Sequence, residues 1–385
     1  MVLVLPNSLW RVHDMRVMTV VGTRPEIIRL ACVIGQLDTH TDHHLVHTGQ
    51  NYDFELNQVF FEELGLRPPV RVLPCETSSV GRFMGDVLAY TETAINEIRP
   101  DAMLVLGDTN SCIAAVIGRR MGVPVFHMEA GNRCWDLNVP EETNRRLVDH
   151  VSDINLAYTE HARRNLLAEG RHPRTVYVTG SPMHEVLLRY RAGIDSSGVL
   201  AAEGLTAGGY FLVSVHRQEN VDDPAHLDRF VQMLRGLVAA YAMPVLVSTH
   251  PRTRKRLDAL GADLPAGVTF SKPFGFFDYN ALQLHARCVI SDSGTISEES
   301  SILGFPAVTP REAIERPEAL DSGVTVLAGS DPASVLAAVA LVVSQWESGW
   351  RPNMPDDYRI TDTSERVLRL MTGLTPLHRT WNNLR

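Results

Sequence analysis

The run Val17-Met-Thr-Val-Val-Gly-Thr-Arg-Pro-Glu26 joins a short Val-rich segment to a polar turn, and a helix-like stretch follows. A run that is apolar on consecutive rather than alternate positions marks a strand buried on both faces. The same unit recurs at residues 45–47, 103–106, 123–127, 154–157 and 176–178. Strands alternating with helical segments predict βα units and a parallel sheet, so the first half reads as one doubly wound α/β domain.

Around residues 189–205 the pattern lapses, as Gly193, Ser196, Ser197, Gly198 and Gly204 loosen the composition. It resumes at residues 210–215, 245–248, 268–270, 288–290 and 307–308, which predicts a second α/β domain of similar size. The boundaries expected are an N-terminal extension over 1–14, domains over 15–188 and 189–362, and a C-terminal helix and tail over 363–385. The sequence leaves open which domain that helix joins. Repeats of about 20–50 residues are not visible, which argues against a solenoid.

With 44% hydrophobic and 21% charged residues in a chain of 385, two sizeable cores can form. The net charge of -9 argues against nucleic acid or an acidic membrane surface as partner, so an anionic ligand would need its own basic cluster. Cys32, Cys75, Cys112, Cys134 and Cys288 are an odd set without a C-x-x-C pair, the pattern of reduced cysteines in a cytoplasmic protein. No segment reaches the ~18 apolar residues of a membrane helix, and 1–14 lacks a cleavable-signal layout.

In open parallel sheets, ligands bind beyond the carboxyl ends of the strands. Here those turns cover residues 22–26, 48–51, 107–111, 129–133, 179–182, 216–220, 249–252 and 291–299, and they gather small residues, carboxylates, histidines and arginines on one rim. Ser293-Gly294-Thr295, entering a helix near Ile296, has small side chains, backbone N–H groups at a helix start and the positive dipole end that an anion seat requires. Taken alone it is a plain N-cap. Arg24 and Arg316 add planar, permanently charged donors for phosphate, although either by itself reads as a surface ion pair. Two domains with a phosphate seat suggest a nucleotide-bearing substrate.

Asp108, Glu129 and Glu141 are the carboxylates to weigh as acid or base. Asp108 has a bland reading as a turn cap, Glu141 as a first-turn dipole partner, and Glu142 as a helix cap. His216 and His250 end strands of the second domain, where a pair on one rim can bind phosphate or move a proton. Phe274, Phe276, Phe277 and Tyr279 read most simply as packing, with a uracil platform the sharper alternative for any one of them. His43, His44 and His47 would point to different faces of a strand, so no metal site is expected. Without a Walker loop, a G-x-G-x-x-G or a G-x-S-x-G, no ATP-driven, NAD-dependent or serine-nucleophile chemistry is indicated, and no cofactor is expected.

Taken together, G-T-R-P-E-I-I-R at 22–29, G-D-T-N-S at 107–111, H-M-E-A-G-N-R at 127–133, P-E-E-T-N-R at 140–145, V-H-R-Q-E-N at 215–220, D-S-G-T-I-S-E-E at 292–299 and E-R-P-E at 315–318 resemble the non-hydrolysing UDP-N-acetylglucosamine 2-epimerase family. The likeness covers roughly 16–370. With A-G-N-R-C-W-D and H-T-G-Q-N-Y-D, it looks most like the branch acting on UDP-N-acetyl-L-fucosamine precursors or UDP-2,3-diacetamido uronic acids. The resemblance implies two Rossmann-like domains facing a cleft, of glycosyltransferase-B type, in a homodimer. It implies loss of the C2 proton and of UDP from C1, a glycal-like intermediate, and re-addition with C2 inverted.

By position it implies acid/base roles for Asp108, Glu129 and Glu141, without saying which takes the C2 proton, and places His216 near the leaving phosphate. Arg24, Ser293, Gly294 and Thr295 would hold the diphosphate, Glu299 the ribose, and His250 and Arg316 the wall of the site. Arg29, Arg133, Arg145 and Phe276 complete the substrate-binding set. Two positions depart from the family pattern. Arg29 stands where the typical member has Lys, and Gln50-Asn51-Tyr52 replaces a regulatory Q-H-R, which speaks against allosteric activation by substrate. A hydrolysing 2-epimerase, a glycosyltransferase of the same architecture and a sugar-nucleotide sensor remain as alternatives.

Overall fold

The computed structural model describes residues 12–50, 60–215, 224–248 and 265–381. The chain divides after Val186 and again before Ile360, so that Leu187–Arg359 forms one unit and the segments on either side form the other.

In the first unit, β1 (Arg16–Val21), β2 (Asp42–His47), β3 (Arg71–Val72), β4 (Ala102–Leu106), β5 (Val125–Met128), β6 (Ile154–Ala157) and β7 (Val176–Val178) form one sheet in the order β3-β2-β1-β4-β5-β6-β7. Every pairing in it is parallel. β4 is apolar throughout and fully buried, as a central strand covered on both faces must be. Helices Val80–Ile98 and Ala114–Arg120 cover one face, placing Phe83, Val87, Ile95 and Ala114 against Val20, Met103, Val105 and Val125. The C-terminal helix Thr363–Leu374 packs on the first helix, Arg24–His40. Its start is anchored there by the Thr363 hydroxyl, which donates to the carbonyls of Thr179 and Ser181 at 3.2 Å each, and by the Ser364 amide on Glu185 at 2.8 Å. The helix whose parent the sequence left open thus belongs to the first unit.

In the second unit, β8 (Phe211–Ser214), β9 (Val245–Ser248), β10 (Val268–Ser271), β11 (Cys288–Ser291), β12 (Ala307–Thr309) and β13 (Thr325–Leu327) pair in the order β10-β9-β8-β11-β12-β13, again all parallel. Helices Pro224–Tyr241 and Pro332–Glu347 supply Leu234, Leu237, Val335 and Val339 to a core with Phe211, Val213, Val247, Ile290 and Val308. Two strands escaped the sequence reading, β3 and β13, and both are sheet edges. Edge strands are short and half-solvated, so they lack the continuous apolar run that reveals the inner ones.

Candidate active site

In each sheet the crossovers reverse direction once, between β1 and β4 and between β8 and β11, and the carboxyl ends of those strands are where such folds bind ligands. In the first unit the turn after β1 is built around Glu26. Its buried Oε2 accepts from the amides of Gly22 at 2.9 Å and Thr23 at 2.7 Å and from the Thr23 hydroxyl at 2.8 Å, while Oε1 accepts from the Thr109 hydroxyl at 3.0 Å. This capping box at the start of the helix Arg24–His40 therefore also ties the β1 turn to the β4 turn. Burial pushes the Glu26 carboxyl up, against the pull of those hydrogen bonds. Only glycine fits at position 22, since a Cβ there would collide with the hydroxyls of Ser111 and Thr48.

The turns after β4 and β5 carry Asp108 and Glu129. Glu129 has φ of 64°, a left-handed conformation that costs a non-glycine residue about 1–3 kcal/mol and persists only where the surroundings enforce it. Its carboxylate is ion-paired with Arg29, and Arg29 Nε donates to the Pro25 carbonyl at 3.2 Å. Gly107, with φ of 77°, lets the β4 turn approach, for a Cβ there would stand 3.0 Å from Glu129 Oε2. Arg145 grips Asp108, with Nε 3.1 Å from Oδ2, and Asn144 Nδ2 donates to the Asp108 carbonyl at 3.0 Å. Two carboxylates thus stand on adjacent turns, each with a guanidinium partner.

Arg145 is itself shared. Its other arm donates to Glu142 at 2.7 Å, and Glu142 also accepts from Arg146 at 2.8 and 3.0 Å and from the Cys134 amide at 3.1 Å. Burial pushes the Glu142 carboxyl up, but the Cys134 amide and the two arginines outweigh it and hold it below the usual carboxylate range. Behind this layer His127 and Asp149 are fully buried, with Nδ1 and Oδ1 2.9 Å apart.

In the second unit, the helix Ile296–Leu303 starts beyond β11. Thr295 donates its hydroxyl to Glu299 Oε1 at 2.8 Å, and Gln283 Nε2 donates to Oε2 at 2.7 Å. Burial pushes the Glu299 carboxyl up, with the Gln283 and Thr295 bonds opposing it. Arg316 is buried, its Nε 2.9 Å from Glu298 of the same helix.

The structure brings Arg29, Asp108, Glu129 and Arg145 together in the first unit, with Arg24 opening the same helix that carries Arg29, its guanidinium 5.3 Å from the Phe60 ring centre. Glu141 lies exposed in the first turn of the helix Pro140–Val151, one residue from the buried Glu142. Arg133 does not join them. Its guanidinium is wholly enclosed and committed to Asp149 at 2.7 Å and to both oxygens of Glu169 at 2.8 and 2.6 Å, so it braces the scaffold rather than facing a ligand. Phe276 is likewise largely buried, edge-on to Tyr190 with ring centres 6.1 Å apart.

Two amides of the anion seat are already used, Ser293 N–H by the Ser291 hydroxyl at 3.1 Å and Thr295 N–H by the Ser293 hydroxyl at 3.3 Å. Short hydroxyl side chains fold back on nearby amides in this way, and an incoming anion would displace them. His216 and His250 lie outside the described residues, as do Asn51 and Tyr52; Gln50 accepts from the Ser111 amide at 3.1 Å. Sequence reasoning missed Glu26, His127, Asp149 and Gln283. Glu26 had a signal, the Thr-x-x-Glu spacing of a capping box.

The family model for UDP-N-acetylglucosamine 2-epimerase matches residues 36–372. The chain belongs to that family. It is 34% identical over 369 residues to the UDP-2,3-diacetamido-2,3-dideoxy-D-glucuronate 2-epimerase of Pseudomonas aeruginosa, covering 94% of this chain and 100% of that one. Among solved structures it is similar to the UDP-N-acetylglucosamine 2-epimerase of Rickettsia bellii, at 43% identity and a TM-score of 0.89, covering 96% of this chain and 99% of the other. It is also similar to the Methanocaldococcus jannaschii UDP-GlcNAc 2-epimerase solved with UDP-GlcNAc and UDP, at 32% identity and a TM-score of 0.87, covering 93% and 100%. Membership makes the chain an isomerase of UDP-linked sugars, and the two-domain α/β fold of glycosyltransferase-B type is the family's. Among the described residues no helix is long and apolar enough to cross a membrane.

Proposed function

We propose that this chain inverts C2 of a UDP-linked 2-acetamido sugar without releasing the sugar, with Asp108 and Glu129 as the groups that exchange the C2 proton. The observation that carries the reading is the pair of arginine-held carboxylates on the adjacent β4 and β5 turns. In the forward step the C2–H bond breaks and its proton passes to a carboxylate. The electron pair forms the C1=C2 bond, and the C1–O bond to UDP breaks. Addition of UDP back to C1, with a proton delivered to the opposite face of C2, completes the inversion. Two bases are needed because the proton leaves one face and returns on the other. Asp108 is the better candidate for the first removal, since its side chain is 26% exposed and that of Glu129 is 8%.

Departing UDP needs cations and hydrogen-bond donors. Arg24 in the first unit and Ser293, Gly294, Thr295 and Arg316 in the second are the proposed sources, with Glu299 taking the ribose hydroxyls. Glu141, exposed at its helix start, has room to meet a substrate; His216 and His250 complete the set by family resemblance. A homodimer in the cytoplasm belongs to the same reading, the compartment in keeping with five cysteines that include no C-x-x-C pair.

The test is proton NMR in D₂O with UDP-N-acetylglucosamine and a UDP-2,3-diacetamido uronic acid as alternative substrates. Deuterium at C2 together with a new UDP-linked epimer is the expected result. UDP accumulating in step with free sugar would mean the hydrolysing reaction. The absence of exchange with either compound would sink the assignment to these sugars.

A further inference from the structure

The His127 ring has acceptors at both ends. Nε2 lies 2.8 Å from the Gly107 carbonyl oxygen, and Nδ1 lies 2.9 Å from Asp149 Oδ1. A carbonyl only accepts, so Nε2 must carry hydrogen. Asp149 is in turn the hub of the β5 turn, for its two oxygens lie 3.2 and 3.1 Å from the Gly131 amide and Oδ2 accepts from Arg133 at 2.7 Å. Both His127 and Asp149 are fully buried.

What they hold decides their importance. Gly107 immediately precedes Asp108, and Gly131 follows Glu129 by two residues. One end of the imidazole–carboxylate pair therefore fixes the backbone that aims Asp108, and the other fixes the backbone that aims Glu129. The strained φ of Glu129 needs such an external constraint. A deeper brace closes the array, since Arg133 is clamped by Glu169, and the charged groups around the ring are Asp149, Arg133 and Glu169, with Arg171 acting on Asp149 from further off.

We infer that His127 and Asp149 are positioning residues that set the Asp108 and Glu129 carboxylates relative to each other for proton removal and return. This rests on the reading of those two carboxylates as the reacting groups. An error of about 1 Å in a reacting group can cost on the order of 10²-fold in rate, so loss of the bridge reads out in turnover rather than in substrate binding.

The experiment is a double-mutant cycle on the full chain with His127→Gln, Asp149→Asn and the two combined, following kcat, KM and C2 deuterium exchange in D₂O. In His127→Gln the introduced side-chain amide can still donate to the Gly107 carbonyl, but its oxygen then faces the Asp149 carboxylate; when Asp149→Asn is added, the two amides can pair. His127→Gln alone is expected to lower kcat about 10²-fold with KM within about twofold. The double variant is expected to exceed the product of the single effects by about tenfold, with the change confined to kcat and UDP affinity retained, a split that a purely structural role would not produce. Full activity in His127→Gln would overturn the inference, and so would strictly multiplicative losses accompanied by equal losses of UDP affinity. If Asp149→Asn fails to fold, the kcat against KM split of His127→Gln decides alone. Wild-type protein in the same assay separates the two levels: no exchange there refutes the proposed function, whereas normal wild-type exchange with an unaffected His127→Gln refutes only the positioning role.

Discussion

Glu141 and Glu142 are adjacent carboxylates of one helix start, and replacing each by glutamine should have opposite consequences. Glu142 is fully buried and accepts from Arg145, Arg146 and the Cys134 amide, so Glu142→Gln removes one charge from between two guanidiniums. Breaking a buried ion pair from one side costs about 3–5 kcal/mol, because the other charge is left uncompensated. Here the lower end applies, since Arg145 keeps Asp108 as a counter-ion. The Arg146 side chain is 38% exposed, and its share is about 1 kcal/mol at most. Gln also retains an oxygen for the Cys134 amide. The expected loss is therefore about 3 kcal/mol in the transition of the first unit.

Glu141→Gln, at an exposed position, should leave that transition within about 0.5 kcal/mol and lower turnover instead. Urea unfolding followed by circular dichroism, alongside the NMR turnover assay, measures both quantities. The pH dependence provides a second check. The Glu142 carboxyl is held low in the folded protein, so its contribution is complete above the unfolded value and is lost as pH falls through the folded one. The stability gap between wild type and Glu142→Gln should accordingly close in acid. Equal stability of wild type and Glu142→Gln near neutral pH, or a gap that widens on acidification, would refute the reasoning.

Three further outcomes follow from the geometry. Asp108→Asn and Glu129→Gln should each fold and bind UDP yet lose about 10²–10⁴-fold in turnover, measured as the rate of C2 exchange. Glu26→Ala leaves the Gly22 and Thr23 amides without their acceptor and should destabilise the first unit by about 2–6 kcal/mol in denaturant titrations, at about 1–3 kcal/mol per buried donor. Because burial raises the Glu26 carboxyl in the folded state, its ionisation costs stability as pH rises from the unfolded value through the folded one; Glu26→Gln should flatten that stretch of the stability profile. Gln283→Leu removes the donor on Glu299 Oε2 and should weaken UDP binding about tenfold, or about 1.4 kcal/mol, by calorimetry, with kcat at saturation retained.

The inner strands were legible because each carries at least two consecutive apolar residues, and the rim was legible because carboxylates, histidines and arginines follow those runs. What the sequence could not reveal is the direction in which each charged side chain faces. Glu141 and Glu142 differ by one residue, about 100° around a helix, and only the entry at Val139 and Pro140 decides which faces inward. Arg133 reads like a ligand-binding arginine because it sits beside Glu129, yet its partners Asp149 and Glu169 lie 16 and 36 residues away, beyond any local pattern. His127 was visible only as part of a motif, since its task depends on a carbonyl 20 residues upstream.

The guanidinium of Arg29 has a definite physical task in this setting. A guanidinium is a fork, and Arg29 uses it to reach the Pro25 carbonyl of its own helix with Nε while another nitrogen meets Glu129. An ammonium also has several donors, but they rotate freely and lack the fixed planar fork that couples the two contacts. The helix carbonyl thus fixes the guanidinium, and the guanidinium fixes the carboxylate. Glu129 is held from the front by Arg29 and from behind by the amide of Gly131 on Asp149, with Gly107 leaving just enough space beside it. A hydrogen bond to a charged group contributes about 1.5–3 kcal/mol net, comparable to the strain of about 1–3 kcal/mol in a left-handed glutamate, so the conformation is held by the contacts acting jointly. The position of the carboxylate is therefore a property of three elements together: the first helix, the β4 turn and the β5 turn.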